Sequence, residues 1–319
     1  MNSLLKPERL QLGDTVGLVA PASAPPDPNA VDRAAAALEQ LGFRPKLGKH
    51  VRDRLGFLAG SDRDRAADLM AMFADRRVKA IHCLRGGYGT PRILDRLDYG
   101  MIRRHPKIFS GYSDITSLHL ALNLKAGLVC FHAPMLNGEL ADPILPPFTT
   151  EAFLRAVMEA QPVGSIGRDY AGMTIAKLRG GVAEGQLTGG NLTMICASLG
   201  TPFAPSFKGK LLFLEEVGEK PYRLDRSLTQ LLNAGVLAQV AGVAVGLNKD
   251  CQYPEVRPDG EYRQSSADVI QERLSSLRVP VVTGLPFGHV ALNATIPVGV
   301  QARLDGERGD LIITEAAVT

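Results

Sequence analysis

Residues 109–117, "FSGYSDITS", place a serine where an apolar run gives way to a stretch with Leu118, Leu120, Ala121 and Leu122 at helical spacing. A serine held on a sharp strand-to-helix turn exposes its hydroxyl and directs the first helical N–H groups at a developing oxyanion, so Ser113 has the placing of an acyl-transfer nucleophile. The match to G-x-S-x-G is incomplete, because Ile115 stands where the second glycine belongs. Ser and Asp are also favoured helix N-caps, and capping accounts for the same letters. Both readings stand at this level.

A nucleophilic serine needs a base, and the chain has six histidines. His50 follows a lysine in a loop-like stretch, His105 lies in the polar run "RRHPK", and His82 falls inside an apolar strand pattern, as a core histidine would. His119 sits one turn into the helix after Ser113, and His132 follows a strand. His289, in "GLPFGHV" directly after the strand-like "VPVVTG", is held by a Pro/Gly turn that leaves it free to reach a cleft; an ordinary loop histidine fits equally. The base needs an orienting acid. "KLLFLEEVGEK" ends an apolar run on Glu215 and Glu216, which by strand alternation point to opposite faces, so at most one faces a given cleft. Metal chemistry finds no HExxH, CxxC pair or aspartate cluster. "RGGYG" could cradle phosphate, yet no Walker lysine follows it and GxGxxG is absent. A loop bringing backbone N–H groups to an oxyanion fits the same glycines.

These residues must be positioned by regular elements, and the first half of the chain supplies them alternately. "TVGLVAP", "VKAIHCLRGGYG", "KIFSGYSDI" and "LVCFHAP" read as strands. "NAVDRAAAALEQLGF", "DRDRAADLMAMFAD", "PRILDRLD" and "TSLHLALNLKAG" read as helices. Such alternation predicts parallel βαβ units, a doubly wound α/β sheet whose strand carboxyl ends collect the ligand site. "RGGYG" and "GYSD" both fall at such ends. The Pro-rich "ADPILPPFTT" marks a linker, which gives a domain at 1–145, a linker at 146–165 and a second domain at 166–319. In that second part, short runs such as "LLFLEE", "VAGVAVG" and "LIITEA" predict a mixed α+β domain with Gly-bounded strands.

Bulk properties narrow the partners. At 319 residues two domains are the default. A net charge of +3 with no basic stripe gives no reason to expect nucleic-acid binding, and a mean hydropathy of +0.02 fits a soluble chain. The most apolar stretch, "GVLAQVAGVAVGL", is too short and too broken for a membrane span. Four scattered cysteines, three of them in apolar strings, and no exported-protein leader in "MNSLLKPERLQLGDTV" point to a reducing, cytoplasmic compartment.

Taken in order, "GLVAPAS", "FLAGSDRDRAADL", "AIHCLRGGYGTPRIL", "FSGYSDIT", "GGNLTMICASLGTPF", "LLFLEEVGEKPYRLDRSLTQL" and "GLPFGH" resemble the LD-carboxypeptidase family of serine peptidases, which includes the microcin-immunity peptidases. The resemblance spans nearly the whole chain. It implies a nucleophile at Ser113, an orienting acid at Glu215 and a general base at His289, brought together between an N-terminal doubly wound domain and a C-terminal domain, in a homodimer. Where the family often has "LED" this chain has "LEE", which makes Glu216 the rival of Glu215. The mechanism so implied places oxyanion donors at the N–H of Asp114 and in the Gly86-Gly87 loop, each worth about 3 kcal/mol. Arg85 would grip the substrate's terminal carboxylate, or else brace the loop. No metal or cofactor is expected, and activity should rise with pH as His289 loses its proton near its usual range of about 6 to 7. The implied substrate is a murein tetrapeptide recovered during cell-wall recycling, cut to release terminal D-Ala. A peptidyl-nucleotide antibiotic is the alternative, and a non-catalytic ligand-binding α/β protein is a second.

Overall fold

A computed structural model describes residues 4–136, 140–142, 144, 146–167, 174–253 and 264–319. The first half runs β1 (Thr15–Val19), α1 (Ala30–Gln40), β2 (Arg44–Leu47), α2 (Asp62–Ala74), β3 (Val78–Cys83), α3 (Tyr99–Arg104), β4 (Ile108–Gly111), α4 (Thr116–Ala121) and β5 (Cys130–His132). The strands pair in parallel in the order β2-β1-β3-β4-β5. The order reverses between β1 and β3, which opens a crevice at the strand carboxyl ends. Each helix follows from its letters. α1 buries Val31, Ala34 and Leu38 along one stripe. α2 starts where the Ser61 side chain accepts the Asp64 N–H, with Asp62 and Asp64 favouring the positive end of the helix.

Two expected helices are shorter than their pattern. "PRILDRLD" forms a 3₁₀ segment, Thr90–Arg96, squeezed between Gly89 at φ +124° and the Asp98 cap of α3. "TSLHLALNLKAG" gives α4 and then a π turn, Leu122–Ala126, stopped by left-handed Gly127.

The second half runs α5 (Pro147–Met158), β6 (Gly164–Ser165), β7 (Ala176–Arg179), β8 (Val182–Asn191), α6 (Leu192–Ser198), β9 (Leu211–Glu215), α7 (Pro221–Asn233), β10 (Gly242–Leu247), α8 (Ser266–Leu274), β11 (Val281–Gly288), β12 (Ile296–Val298), β13 (Gln301–Asp305) and β14 (Asp310–Ile313). Its sheet has the order β6-β14-β13-β8-β9-β10-β11-β7, parallel from β8 to β11 and antiparallel on both flanks. β12 leaves this sheet and pairs antiparallel with β5, Ile296 opposite His132. The second half thus lends a strand to the first sheet. The proposed linker at 146–165 contains α5, whose Phe153, Ala156 and Val157 share a core with Leu10 and Ile166; Pro143 and Leu145 of the Pro-rich run lie outside the described residues.

Candidate active site

Ser113 follows β4 and an extended Tyr112, and takes φ +65° before the chain coils through Ser113–Ile115 into α4. Among the described residues only Asp250 shares a positive φ without being glycine. A left-handed serine costs about 1–2 kcal/mol and persists only where its neighbours impose it. Here they do. Buried Asp114 accepts the Thr90 N–H at 2.8 Å on Oδ2, and its carbonyl accepts the Thr90 hydroxyl at 2.6 Å. Burial pushes the Asp114 carboxyl up against the pull of the hydrogen bonds it receives. Neither the 3₁₀ turn nor α4 draws a side-chain cap from Ser113, so capping does not explain the serine. The turn is strained, which is the form an elbow takes.

The glycine loop after β3 lies on this serine. A Cβ built on Gly86 would stand 2.9 Å from the Ser113 Cβ and 3.2 Å from its Oγ, so only glycine allows the approach. Gly87, at φ +104°, sits instead against Ser23. Ser23 ties the loop at both ends: its N–H donates to the Gly86 carbonyl at 3.2 Å, and its Oγ accepts the Tyr88 N–H at 3.1 Å. Of the two expected loop donors, Gly86 adjoins Ser113 and Gly87 is one step removed. Arg85 is half-buried and donates to the Ala24 carbonyl at 3.0 Å; desolvation lowers its pKa. That bond braces the loop.

Glu215 ends β9 and His289 directly follows β11, two strands that flank β10 in the second sheet. The strand runs through "LPFG" to Gly288, where a turn was expected, so His289 rides on a strand end rather than in a loop. Its Nδ1 lies 2.6 Å from Oε2 of Glu215, whose side chain is wholly buried. Gly288, at φ +116°, packs against the same carboxylate and leaves no room for a side chain. A carboxylate withdrawn from water gains most from an imidazolium beside it. The ring of Tyr112, next to Ser113, lies 4.6 Å from the His289 ring. This contact puts the His–Glu pair beside the elbow across the boundary between the two sheets.

Glu216 faces the other way, as alternation requires. Oε1 accepts the Asn191 side chain at 2.7 Å and the Val217 N–H at 2.9 Å. Oε2 accepts the Thr193 N–H at 2.9 Å and its hydroxyl at 2.7 Å. Three of these four bonds hold the start of α6 and the fourth closes on the next residue, which leaves Glu215 as the carboxylate on the histidine. Asn191 also donates its N–H to Thr116 Oγ1 at 3.0 Å, and Gly190, at φ +135°, has Thr116 where a Cβ would go. The helix behind Ser113 is thereby bonded to the end of β8, where Asn191 lies opposite Glu215 of β9. The sequence reading missed this latch and the Tyr112 contact; "GGN" before a helical run, an N-cap after two glycines, was the available signal.

Three other histidines lie in the core. His82, His119 and His132 are fully buried, and desolvation holds His82 near about 4, His119 near about 3 and His132 well below its usual range. His50 pairs with Asp53; with Asp64 these form the one described cluster of three metal-type donors, outside the Ser–Glu–His grouping.

Comparison with known proteins settles the lineage. Residues 16–133 match the model of the LD-carboxypeptidase N-terminal domain, and residues 184–304 that of its C-terminal domain. The chain belongs to the LD-carboxypeptidase family. A probable murein peptide carboxypeptidase of Bacillus subtilis is 40% identical over 98% of this chain and 95% of the relative. A murein tetrapeptide carboxypeptidase of Pseudomonas aeruginosa is 36% identical over 92% and 94%. Among solved structures, a muramoyltetrapeptide carboxypeptidase from Oxalobacter formigenes superposes with a TM-score of 0.82 at 32% identity, covering 96% of this chain and all of that one. The microcin C7 self-immunity protein has the same fold, with a TM-score of 0.86 at 24% identity over 99% of this chain and all of that one. As a member of this family the protein is a serine-type LD-carboxypeptidase, with the expected two-part α/β architecture.

Proposed function

We propose that this carboxypeptidase removes the terminal D-Ala from a murein tetrapeptide through Ser113, His289 and Glu215. The observation that carries the residue assignment is the 2.6 Å bond from His289 to buried Glu215, beside a serine held at φ +65°. His289 takes the Ser113 proton, Glu215 fixes the tautomer with Nδ1–H toward itself and stabilises the imidazolium, and Oγ attacks the carbonyl. The N–H groups of Asp114 and Gly86 receive the oxyanion, with Gly87 holding the loop's path. His289 then protonates the leaving amine, and water hydrolyses the acyl-enzyme. Arg85 serves the substrate's carboxylate with the guanidinium nitrogens not spent on Ala24. The small-peptide substrate class rests on the relatives named for murein peptides. A cytoplasmic role in wall recycling and assembly as a homodimer complete the proposal; no helix among the described residues is long and apolar enough to cross a membrane.

The test is to incubate the protein with muramoyl-tetrapeptide and follow release of one alanine by mass, with Ser113→Ala as control. Cleavage by the parent and none by the variant supports the reading. Cleavage of an aminoacyl-sulfamoyl adenylate in preference to the tetrapeptide would replace it with the immunity-peptidase reading.

A further inference from the structure

Beside the glycine loop lies an exposed apolar patch that catalysis does not use. Residues Leu55 to Leu58 form a tight turn, closed by the Leu55 N–H to Leu58 carbonyl bond at 2.9 Å and its reciprocal at 3.0 Å, with Gly56 at φ +60°. The turn is pinned from below. Leu58 is buried, packing where Gly89 has no side chain, and the Ala59 N–H donates to the Ala22 carbonyl at 2.9 Å. Phe57 is therefore held outward, 63% exposed, with its ring centroid 5.2 Å from that of Tyr88, 51% exposed, at an interplanar angle of 73°. Leu55 adds a third exposed apolar side chain. The loops after β1, β2 and β3 all meet here, at the point where the strand order reverses and a doubly wound sheet binds ligands. The other large exposed aromatic among the described residues, Tyr222, is engaged by Arg223 and Arg226. Phe57 and Tyr88 face solvent as a pair, and paired exposed rings beside a reactive centre mark a ligand surface.

We infer that Phe57 and Tyr88 form a stacking corner for the sugar ring of a muropeptide, a subsite that selects sugar-linked over free peptide. The inference rests on the murein-peptide reading above. Distance supports it. Tyr88 is two residues from Gly86, which touches Ser113, so at about 3.8 Å per step the Tyr88 Cα stands within about 8 Å of the Gly86 Cα. In a tetrapeptide cut before its last residue, three residues separate the scissile carbonyl from the sugar, and an extended tripeptide spans about 10 Å. Shape supports it as well. Two rings near right angles present a face and an edge, which suits the C–H face of a puckered pyranose; a flat nucleobase is better gripped between parallel plates. The patch carries no charge of its own, as a neutral ring requires.

The experiment compares kcat/KM for the free tetrapeptide with that for the same peptide on N-acetylmuramic acid, in the parent, Phe57→Leu, Tyr88→Leu and Tyr88→Phe. The parent should prefer the sugar-linked substrate. Phe57→Leu and Tyr88→Leu should each lower that preference roughly tenfold, chiefly through KM, while Tyr88→Phe, which keeps the ring, retains it. Equal kcat/KM for the two substrates in the parent, or a preference undiminished in both leucine variants, would overturn the corner and leave the peptidase reading intact. Failure of the parent to cleave either substrate would overturn the reading beneath it. If the leucine variants shift the protein to a smaller oligomer and lose both substrates equally, the patch is a contact between copies and the inference falls.

Discussion

Replacing Glu215 by Gln, with Glu216→Gln alongside, separates catalysis from architecture at two adjacent carboxylates. Glu215 is wholly buried and bonded to His289 Nδ1 at 2.6 Å. Two unit charges about 4 Å apart attract by roughly 4 kcal/mol at an effective dielectric constant of about 20. Loss of that attraction removes about three orders of magnitude from kcat. An amide can also donate to Nδ1 and lock the wrong tautomer, which carries the loss toward about 10⁴. Isosteric Gln leaves packing intact, so Tm should stay within a few degrees. Glu216 behaves in the opposite way. Its oxygens accept from four donors, Asn191, Val217 and Thr193 twice. Gln would turn two N–H groups against donors and cost about 3 kcal/mol, several degrees in Tm. Alanine release from the tetrapeptide gives kcat, and calorimetry gives Tm. Glu215→Gln with more than a tenth of parental kcat, or Glu216→Gln with parental Tm and collapsed kcat, would refute the division of roles.

Further outcomes follow from the same geometry. Ser113→Ala and Ser113→Gly should both lose roughly 10⁴-fold or more in kcat. Because residue 113 sits at φ +65°, the glycine variant should be the more stable by about 1 kcal/mol, the reverse of the usual order, as read by chemical denaturation. Gly86→Ala places a methyl 2.9 Å from the Ser113 Cβ; circular dichroism should be native while kcat falls about a hundredfold. Burial keeps His119 neutral, down to about 3, so the unfolded chain binds the proton first as pH falls. The stability tied to neutral His119 is complete above about 6.5 and lost progressively toward 3, at about 1.4 kcal/mol per pH unit. His119→Leu should remove that slope from the acid-unfolding curve.

Most of the parallel half was legible because buried strands read as apolar runs and amphipathic helices repeat apolar residues at helical spacing; β2, the half-exposed "RPKL", and α3, "YGMIRR", carry neither signal and were not read. Also unread were features set by distant partners. β12 is only "IPV", and its place beside β5 depends on a chain reversal over 160 residues away that no local pattern encodes. The latch of Thr116, Asn191 and Glu216 joins three segments. At the site, residue type offered Ser113, His289 and the Glu215–Glu216 pair only as candidates beside blander readings, the family resemblance named the three, and alternation could say only that Glu215 and Glu216 diverge. In physical terms, which of them meets the histidine is set by the pairing of β9, β10 and β11, which no local pattern encodes. "LPFG" read as a turn because Pro and Gly break most strands; here Gly246 gives way to Phe287 on the neighbouring strand, and β11 continues.

The most direct measurement is active-site labelling. The protein is treated with a fluorophosphonate probe, digested, and the adduct located by mass spectrometry while tetrapeptide cleavage is followed in parallel. The account predicts stoichiometric modification on Ser113, loss of cleavage in proportion, and no adduct in His289→Ala. Full cleavage by a protein that carries no adduct at Ser113, or an adduct on another serine that tracks inactivation, would contradict it.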